Sequence, residues 1–582
     1  MTEFRVWAPQ AASVDMVAGR RRVAMVADGG GWYRAEVPDA GPGTDYGFAL
    51  DGGAVLPDPR SPWQPDGVHG LSRVVDHGAF SWTDAGWRGF HLPSAVLYEL
   101  HVGTFTPEGT FDGAAARLDH LVALGVDAVE LMPVAEFPGS RGWGYDGVDL
   151  YAPHSSYGGP EGLKRFVDAC HRRGLGVVMD VVYNHLGPDG NHLSTFGPYF
   201  TNRYATPWGE AVNLDGAWSD EVRAFFVDNA LMWLRDYHCD GLRLDAVHAI
   251  VDTSATHLLE QLAGAVEALA GAEGRPFFLV AESDLNDPRV VRRREVGGYG
   301  MDAQWSDDFH HALHAVLTGE RDGYYADFGS LGQIATALQR AFVYAGEYSP
   351  HRQRSHGRHD PALGGHRFMG YAQNHDQVGN RALGQRSSAL MSPGRLRVAA
   401  ALVLTAPFVP MLFQGEEWGA TTPFQYFTDH ADPALGRAVR EGRWAEFAAF
   451  GWKPDEIPDP QDPATFARSK LDWEEPARPE HADLLDWHRR LIDLRRAVPA
   501  LRDGRLDRVG VDVDEHAGRL TVRRGPVAVA ANVGPLTLTV QVAGEVVLAS
   551  EGVDAGAGAV RLPPSSVAVA VAPEVAPPGG GR

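Results

Sequence analysis

The sequence predicts an α/β fold class, a (β/α)8 TIM barrel with a β-sandwich module before it and a β-sandwich domain after it. Between residues 91 and 495, short apolar segments alternate with segments of helical periodicity, as in a parallel sheet that helices cover on both faces. Residues 1–90 and 496–575 instead alternate apolar and polar side chains between turn residues, which is typical of small antiparallel sheets. Several apolar segments also end in carboxylates and histidines, where a barrel carries its functional groups.

The size and charge of the chain limit the classes of protein to which it can belong. Its 582 residues exceed what one hydrophobic core supports, so several domains are expected. A formal net charge of −23 repels nucleic acid and anionic membranes, and it suits a neutral substrate. Neither a secretory signal nor an apolar membrane span is visible, so we expect a cytoplasmic location and no membrane association.

The N-terminal region, residues 1–90, is predicted to form a small β-sandwich. Segments 4–9 and 32–37 alternate as strands do, and glycine-rich turns separate the segments. Residues 56–70 are rich in Pro, Asp and Gly and are interpreted as a linker lying on a surface. Trp63 within this linker could stack on a sugar ring, but packing between two domains is the favoured interpretation.

The central region, residues 91–495, is predicted to supply the barrel. Its strands are expected at residues 96–101, 128–132, 175–182, 240–245, 277–282, 301–305, 368–373 and 409–414. The helices between them include residues 111–124, 163–173 and 219–237. Ser219 is expected to be the N-cap of the last of these, and an amphipathic helix over residues 483–494 is expected to end the barrel. The count of eight strands rests in part on the family resemblance described below.

The C-terminal region, residues 496–575, returns to short strands and is predicted to be a second small β domain. Its strands are expected at residues 519–522, 527–531, 536–540, 545–548 and 567–571. The last residues, 576–582, are rich in Pro and Gly and are predicted to be a disordered tail.

Polar side chains at the ends of the predicted strands indicate a functional site. Three carboxylates follow the fourth, fifth and seventh predicted strands, Asp245, Glu282 and Asp376. Three histidines stand near strand ends too, His185, His248 and His375. Parallel strands end on one face of a barrel, so we expect these groups to converge there. Adjacent strands are about 4.8 Å apart, which would put Asp245 and Glu282 near the roughly 5–5.5 Å separation of a retaining glycosidase.

Arg243 stands two residues before Asp245 in the same predicted strand. Side chains two residues apart in a strand point to the same side, so the arginine is expected to lie beside the carboxylate. A fixed cation there favours the ionised form of Asp245, which a nucleophile needs. For this segment taken alone, a buried structural Arg–Asp pair is the alternative.

A metal-dependent hydrolase is a competing interpretation, because clusters of His and Asp bind zinc or iron. No His-x-His or His-x-x-x-His pair stands at a predicted strand end, and the run from His310 to His314 falls in a predicted helix. Cys170 and Cys239 form neither a disulfide framework nor a zinc motif. We therefore expect no metal and no cofactor.

Four of these segments resemble a known family. Residues 180–185 (DVVYNH), 241–245 (GLRLD), the strand ending in Glu282 and residues 374–376 (NHD) match in order the four signature regions of the α-amylase superfamily, glycoside hydrolase family 13. Residues 143–146 (WGYD) resemble the sugar-stacking tyrosine segment of that family. Four motifs in the correct order make the resemblance specific.

The resemblance implies a role for each site residue. It makes Asp245 the nucleophile, Glu282 the general acid/base and Asp376 the stabiliser of the transition state. Arg243 would orient the nucleophile, and Glu282 would be protonated because neighbouring carboxylates raise its pKa. The remaining residues would contact the substrate: His185 and His375 at the glucose hydroxyls, Tyr145 stacked on that ring, and His248 at the next subsite.

Further segments resemble the branch of the family that acts on maltooligosyl trehalose. They are residues 132–138, 141–147, 151–160, 184–191, 307–311, 373–382 and 413–418. The resemblance extends over almost the whole chain, and it makes residues 1–90 a carbohydrate-binding-type module. It implies retaining hydrolysis of the α-1,4 bond beside the terminal trehalose, with maltooligosyl trehalose and maltodextrin as ligands. It also implies functional pairing with a maltooligosyl trehalose synthase.

Two other functions remain open at this point. A 1,4-α-glucan branching enzyme would share the module and the barrel, but such enzymes usually follow the stabilising aspartate with Glu-Val, whereas residues 377–380 here are Gln-Val-Gly-Asn. An inactive glycan-binding protein on the same barrel is disfavoured, because all three carboxylates are present.

The leaving-group subsite is predicted with less support. Asp307, Asp308 and Phe309 follow the sixth predicted strand and offer carboxylates and an aromatic face for sugar binding. Trp143 and Trp218 are further candidate sugar contacts. The alternative is that the two aspartates only cap the helix that follows them.

Overall fold

The computed structural model describes residues 2–448, 452–556 and 558–573, and its centre is a closed barrel of eight parallel strands. Each strand pairs with the next along the chain, and the eighth pairs with the first. Barrel strands 1 to 8 are Leu97–Leu100, Ala128–Leu131, Gly176–Val181, Gly241–Leu244, Phe278–Ala281, Ala303–Trp305, Phe368–Gly370 and Val409–Phe413. The predicted fold class is confirmed, and each strand lies inside the segment predicted for it.

The inside of the barrel changes from apolar to charged along the strands. Near the start of the strands, Leu97, Ala128 and Val178 belong to one buried apolar cluster. Two residues further on, on the same side of each strand, stand Glu99, Glu130 and Asp180, and Arg243 is paired with Asp180 across strands 3 and 4. A layer of buried charge therefore closes the barrel just beneath the strand ends.

Helices surround the barrel. The longer ones are Gly159–Arg172, Ser219–Arg235, Leu258–Glu273, Asp307–Thr318, Leu331–Arg340, Pro393–Leu404, Pro433–Ala448 and Pro479–Ala497. The shorter ones are Val102–Phe105, Phe111–Ala115, Leu118–Leu124, Leu193–Phe196, His375–Gly379, Ser387–Leu390 and Pro463–Arg468. In the parts of the chain that the structure describes, no helix combines the length and apolar character needed to cross a bilayer.

Some of the predicted helix bounds are corrected. The single helix predicted over residues 111–124 is two helices, because the backbone at Arg117 leaves the helical region with φ −106° and ψ 1°. Ser219 is the first helical residue and not the N-cap, a position that Trp218 takes with a positive φ of 67°. Sequence periodicity marks the helix but does not separate its cap from its first residue.

The N-terminal strands form antiparallel sheets. One contains Thr2–Trp7, Trp32–Val37 and Val26–Ala27, and the other contains Arg21–Ala24, Val14–Ala18, Asp45–Leu50, Val55–Leu56 and Ser72–Arg73. The linker after them is pinned to the barrel by Arg60, which donates to the Tyr151 hydroxyl and pairs with Asp228. Trp63 donates to the hydroxyl of Ser155 at 3.1 Å, so it packs between the N-terminal sheets and the barrel, as the favoured interpretation held.

The C-terminal strands form two further antiparallel sheets. The larger contains Val509–Asp514, Arg519–Arg524, Val527–Asn532, Ser566–Val571 and Glu545–Ala549, and the smaller contains Leu538–Gln541, Ala559–Leu562 and Asp554–Gly556. Buried Arg524 in the larger sheet donates to the carbonyl oxygens of Thr405 and Ala406, and buried Arg495 donates to those of Ala406 and Phe408. The predicted tail, residues 576–582, lies outside the described residues.

Candidate active site

The three predicted catalytic carboxylates lie at one end of the barrel. Asp245 directly follows strand 4, Glu282 directly follows strand 5, and Asp376 is in the short helix His375–Gly379 after strand 7. All three are therefore beyond the carboxyl ends of parallel strands, where barrel enzymes build their sites.

Arg243 is the fixed point around which two of these carboxylates are arranged. Its side chain is fully buried, and its Nη1 donates to Oδ1 of Asp245 at 2.8 Å. Its Nη2 lies 3.6 Å from Oε2 of Glu282. The guanidinium rests 4.2 Å from the centroid of the Trp305 ring, which keeps it from rotating away. The prediction that Arg243 points to the same side as Asp245 is confirmed.

Both oxygens of Asp245 are held by donors. Arg243 binds Oδ1, and Nδ2 of Asn184 donates to Oδ2 at 2.8 Å. The side chain keeps 12% of its surface exposed, so one edge faces the cleft. A carboxylate fixed in this way is oriented for attack on a bound carbon atom. Sequence reasoning did not assign Asn184 a role, although it directly precedes His185.

Glu282 is held in a setting that favours its protonated form. Its side chain is 15% exposed, and Oε2 accepts a hydrogen bond from the backbone N–H of Ala246 at 2.6 Å. Burial raises the pKa of Glu282 well above its usual value, and Asp245, Asp307 and Asp376 add to the shift while Arg243 opposes it. The predicted direction is confirmed, but burial contributes more than the repulsion between carboxylates that was expected to cause it.

Tyr145 and His375 form a stacked pair beside the carboxylates. Their ring centroids are 5.2 Å apart and nearly parallel, at 24°. The Tyr145 hydroxyl donates to Asp180 at 2.7 Å and lies 2.8 Å from Nε2 of His375. Nδ1 of His375 lies 2.5 Å from Oε1 of Glu99. Burial lowers the pKa of His375, but Asp376 and Glu99 outweigh burial and raise this pKa to about 9.

His185 lies on the opposite side of Tyr145, with Trp208 stacked on it. Its Nε2 donates to the backbone carbonyl of Tyr145 at 3.0 Å, and burial lowers the pKa of the imidazole. The Trp208 ring lies 4.6 Å from the His185 ring at an angle of 4°, and Trp208 is 48% exposed. Sequence reasoning missed Trp208. A lone tryptophan at the turn of the polar hairpin that Phe200–Thr206 begins was the available signal.

Of the two predicted tryptophan contacts, that of Trp143 is corrected, and that of Trp218 stays a prediction. Trp143 is only 5% exposed, lies between Phe424 and His375, and donates to the carbonyl of Gln425. Trp143 packs against His375 of the Tyr145–His375 pair, and its ring is too buried to stack on a sugar. Trp218 is exposed, but it leans on Trp7 of the N-terminal sheets.

The three residues from Asp307 to Phe309 differ in their exposure and contacts, and only Asp307 is partly exposed. Asp307 is partly exposed and accepts from the Tyr371 hydroxyl at 2.5 Å. Burial raises the pKa of Asp307 to about 7, with Asp284 and Asp376 adding to the shift and the Tyr371 bond opposing it. Asp307 therefore lies close enough to Asp376 for the charge of Asp376 to raise its pKa.

The expectations for Asp308 and Phe309 are corrected. Asp308 is 3% exposed and accepts hydrogen bonds from Asn286 and from the backbone of Val343 and Tyr344, so it anchors a loop. Phe309 is fully buried and packs on Phe408. Successive helical residues point in directions about 100° apart, so only one of three consecutive residues can face the cleft.

Two further side chains stand at the rim. His248, in the single turn Val247–Ala249 after Asp245, is exposed there. Tyr324, which sequence reasoning missed, is 39% exposed and stacks on His311 at 4.9 Å. Its partial burial raises the pKa of its phenol to about 12, and Asp376 and Asp307 add to that shift. Tyr324 thus offers an exposed aromatic face near Asp307 and Asp376.

Among residues 2–448, 452–556 and 558–573, no group of three or more His, Cys, Asp or Glu side chains surrounds a common metal position. A parallel barrel with a fixed carboxylate on one strand end and, on the next, a carboxylate whose protonated form is favoured by burial is the arrangement of a retaining glycoside hydrolase.

Comparisons with known proteins agree with this class. The α-amylase catalytic domain matches residues 72–200, and the domain of unknown function DUF3459 matches residues 504–569. The malto-oligosyltrehalose trehalohydrolase of Arthrobacter ramosus is 57% identical over 564 residues, covering 96% of this chain and 97% of that protein. The enzyme of the same name from Mycobacterium tuberculosis strain H37Rv is 51% identical over 582 residues, covering 99% and 100%. This chain belongs to the malto-oligosyltrehalose trehalohydrolase family of glycoside hydrolases.

A solved structure extends the likeness to three dimensions. The putative α-amylase from Salmonella typhimurium has a TM-score of 0.91 at 40% identity, covering 98% of this chain and 97% of that one. The barrel and both sets of flanking sheets are thus shared along nearly the whole length.

Proposed function

We propose that the protein hydrolyses the α-1,4-glucosidic bond beside the terminal trehalose of maltooligosyl trehalose, releasing trehalose and a maltodextrin. The observation that carries the proposal is the arrangement of Asp245 and Glu282, on adjacent strand ends, around one buried guanidinium. Its substrate is taken from the relatives named above, which match the chain over nearly its whole length.

The first chemical step uses the two carboxylates in opposite protonation states. Glu282 gives its proton to the oxygen of the bond being cleaved, which leaves as a hydroxyl of trehalose. Asp245 attacks the anomeric carbon from the other face and forms a covalent glycosyl-enzyme. Its orientation by Arg243 and Asn184 removes rotational freedom that the attack would otherwise have to overcome.

The second step returns the enzyme to its starting state. Glu282, now ionised, takes a proton from water, and the water attacks the anomeric carbon, so the configuration is retained. Asp376 lies beside His375, at 3.5 Å, and is placed to stabilise the positive charge that develops on the sugar ring.

The substrate contacts fall on two sides of the carboxylates. Tyr145, His185 and His375 form the glucose side, with the open face of Trp208 next to His185. Asp307 and Tyr324 stand on the leaving-group side, where trehalose would be bound. Aromatic faces stack on sugar rings and carboxylates accept from their hydroxyls, so these two residues are the proposed readers of the trehalose end.

The wider setting follows from the substrate. A maltooligosyl trehalose synthase would supply maltooligosyl trehalose, and we place both enzymes in the cytoplasm, where the free thiols of Cys170 and Cys239 stay reduced. The sheets within residues 1–90 would serve as a carbohydrate-binding-type module.

Product analysis tests the proposal. The purified protein is incubated with maltooligosyl trehalose and, separately, with maltodextrin of equal length, and Asp245→Asn serves as the control for contaminating activity. Free trehalose and a shortened maltodextrin from the first substrate, with slower cleavage of the second, are expected. Branched glucan or other transfer products without free trehalose would contradict the proposal.

A further inference from the structure

Two glutamates stand side by side in the charged layer inside the barrel. Glu99 in strand 1 and Glu130 in strand 2 are paired in register, and each is 1% exposed. Neither is a catalytic carboxylate of the mechanism above. Two buried carboxylic acids on neighbouring strands are costly unless each has a partner or a proton.

The two glutamates differ in their contacts. Glu99 accepts from the backbone N–H of His375 at 3.1 Å and from the Nδ1 of the same residue. Oε2 of Glu130 has no hydrogen-bond partner in the described part of the chain. Burial raises the pKa of Glu130 well above its usual value, and Glu99 adds to the shift. Burial therefore favours the protonated form of Glu130, and Glu99 is the one of the two that binds His375.

A count of protons fixes the state of His375. The Tyr145 hydroxyl has one proton, and at 2.7 Å from the carboxylate of Asp180, which can only accept, it donates there. The contact between this hydroxyl and Nε2 of His375 then needs a proton on Nε2. With Glu99 as the acceptor, as it is for the backbone N–H of His375, the contact between Nδ1 and Glu99 needs a second proton on the ring. His375 is thus an imidazolium with both N–H groups used.

We propose that Glu99 is a positioning residue of the reaction, because it keeps His375 doubly protonated and thereby locks Tyr145 and the chain of bonds that leads to the nucleophile. This chain runs from His375 through Tyr145 to Asp180, which Arg243 binds together with Asp245. The proposal rests on the proposed function, since it concerns the same site and reaction.

The charge on His375 depends on the groups that face it from every side. They are Glu99 in strand 1, His101 just after strand 1, Glu130 in strand 2, Tyr145, Arg243 in strand 4 and the adjacent residue Asp376. Asp180 in strand 3 acts through its hydrogen bond with Tyr145. Burial alone would lower the pKa of this histidine, so the carboxylates keep it charged up to about pH 9. The cation is present below that pH and is lost as the pH rises through it.

Glu99→Gln tests the role of the charge. The amide oxygen of glutamine can still accept from Nδ1, but its NH2 group cannot accept from the backbone N–H of His375, and the side chain carries no charge. The pKa of His375 therefore falls, and the cation is lost at a lower pH. The rate is measured from pH 5 to 10 on α-maltosyl fluoride, whose cleavage does not need the acid Glu282. The alkaline limb of kcat/KM is expected to move down by one pH unit or more, with about a tenfold loss at pH 8 for each unit that the pKa falls below 8. At pH 5 the loss is expected to be less than about threefold by the same titration.

Glu130→Gln is the matched control, from the same layer and the next strand. An amide replaces an acid whose protonated form is favoured by burial and which does not bind His375, so its pH profile is expected to overlay that of the wild type. A loss in Glu99→Gln that is equal at every pH, an unchanged profile, or the same shift in both variants would overturn the proposal, since a merely structural role would produce these results.

A second measurement uses the wild-type enzyme and therefore tests the proposal even if Glu99→Gln does not fold. The pKa of His375 is read by carbon-13 NMR on histidine-labelled wild-type enzyme, with His375→Gln used to assign the signal. A value below about 7.5 would overturn the proposal, because the ring would then be mostly neutral at pH 8. Release of fluoride does not require trehalose recognition, so these results stand apart from the proposed function, which fails only if no trehalose is released from maltooligosyl trehalose.

Discussion

On the glucose side of the cleft, the polar groups are tied to barrel strands or to each other, whereas on the leaving-group side they stand on helix starts and loops. Arg243 and Asp180 lie within strands 4 and 3, and Tyr145 and His375 are bonded to them in one chain. Asp307 has one bond to Tyr371, and Tyr324 is fixed by stacking on His311.

This difference indicates that the groups for catalysis are held by the barrel strands, whereas the groups for selectivity stand on helix starts and loops. The charged groups that orient the nucleophile, Arg243 and Asp180, are held by strands, which keep them in place during the reaction. The groups that distinguish one leaving sugar from another stand on segments that can change between related enzymes without disturbing the barrel.

Asp245→Asn removes the proposed nucleophile from the glucose side and is expected to have the largest effect on activity. The amide is nearly isosteric, so the fold should survive, but it cannot form the glycosyl-enzyme, and kcat should fall by more than about 10⁴-fold. The measurement is the release of trehalose by the purified variant, with a thermal melt as the control for folding. Retention of more than a few per cent of the wild-type rate would refute the assignment of the nucleophile.

Glu282→Gln is expected to lose about 10²- to 10⁴-fold on maltooligosyl trehalose, because the leaving oxygen then receives no proton. A glycosyl fluoride needs no proton, so the variant should still react with it and accumulate glycosyl-enzyme, which added azide would release. Mass spectrometry of the protein detects the adduct. The absence of both the adduct and azide rescue would show that Glu282 is not the acid/base.

Asp307→Asn addresses the leaving-group side. At about pH 8, above the pKa of about 7 of Asp307, loss of this charged acceptor for a sugar hydroxyl corresponds to about 1.5–3 kcal/mol, or roughly 10- to 150-fold in kcat/KM on maltooligosyl trehalose. Plain maltodextrin should lose less, because it has no trehalose unit to place there. Steady-state kinetics on both substrates decide the point, and equal losses on the two would remove Asp307 from selectivity.

Trp208→Ala should have a smaller effect, confined to binding. Removing one stacking face costs about 1–1.5 kcal/mol, so KM should rise about fivefold to tenfold with kcat nearly unchanged. Both substrates should be affected alike, since the ring lies beside His185 on the glucose side. A fall in kcat without a change in KM would place Trp208 in the chemistry instead.

Phe309→Ala should change the selectivity least. The ring is buried against Phe408, so the variant should lose about 3–5 kcal/mol of unfolding free energy, while the ratio of kcat/KM on the two substrates stays constant. Denaturant unfolding and the same kinetic pair measure the two quantities. A loss of kcat/KM on maltooligosyl trehalose alone would instead support a direct contact between Phe309 and the sugar.

The sequence could predict the glucose side because strand geometry is local. Alternation places Arg243 beside Asp245, and parallel strands bring Asp245, Glu282 and Asp376 to one face. The sequence pattern does not show in which direction the first turn of a helix points. It therefore could not predict that Asp307 is partly exposed while Phe309 is buried.

Other site residues depend on contacts between distant segments. Trp208 meets His185 only because a hairpin folds over the strand end. Glu99 stood in a strand that was read as apolar, and its bond to His375 joins residues far apart in the chain. Such contacts leave no periodic pattern in the sequence.

Buried Arg524, which binds the C-terminal sheet to the barrel, has a consequence for how such a chain can evolve. Arg524 donates to the carbonyl oxygens of Thr405 and Ala406 before strand 8, and Phe413 at the end of strand 8 is in register with Glu99 in strand 1. Exchange of the C-terminal sheet by recombination would remove a buried donor from those carbonyl oxygens, next to the strand that pairs with strand 1. We therefore expect the sheet and the barrel to be inherited together and not to be exchanged as separate modules.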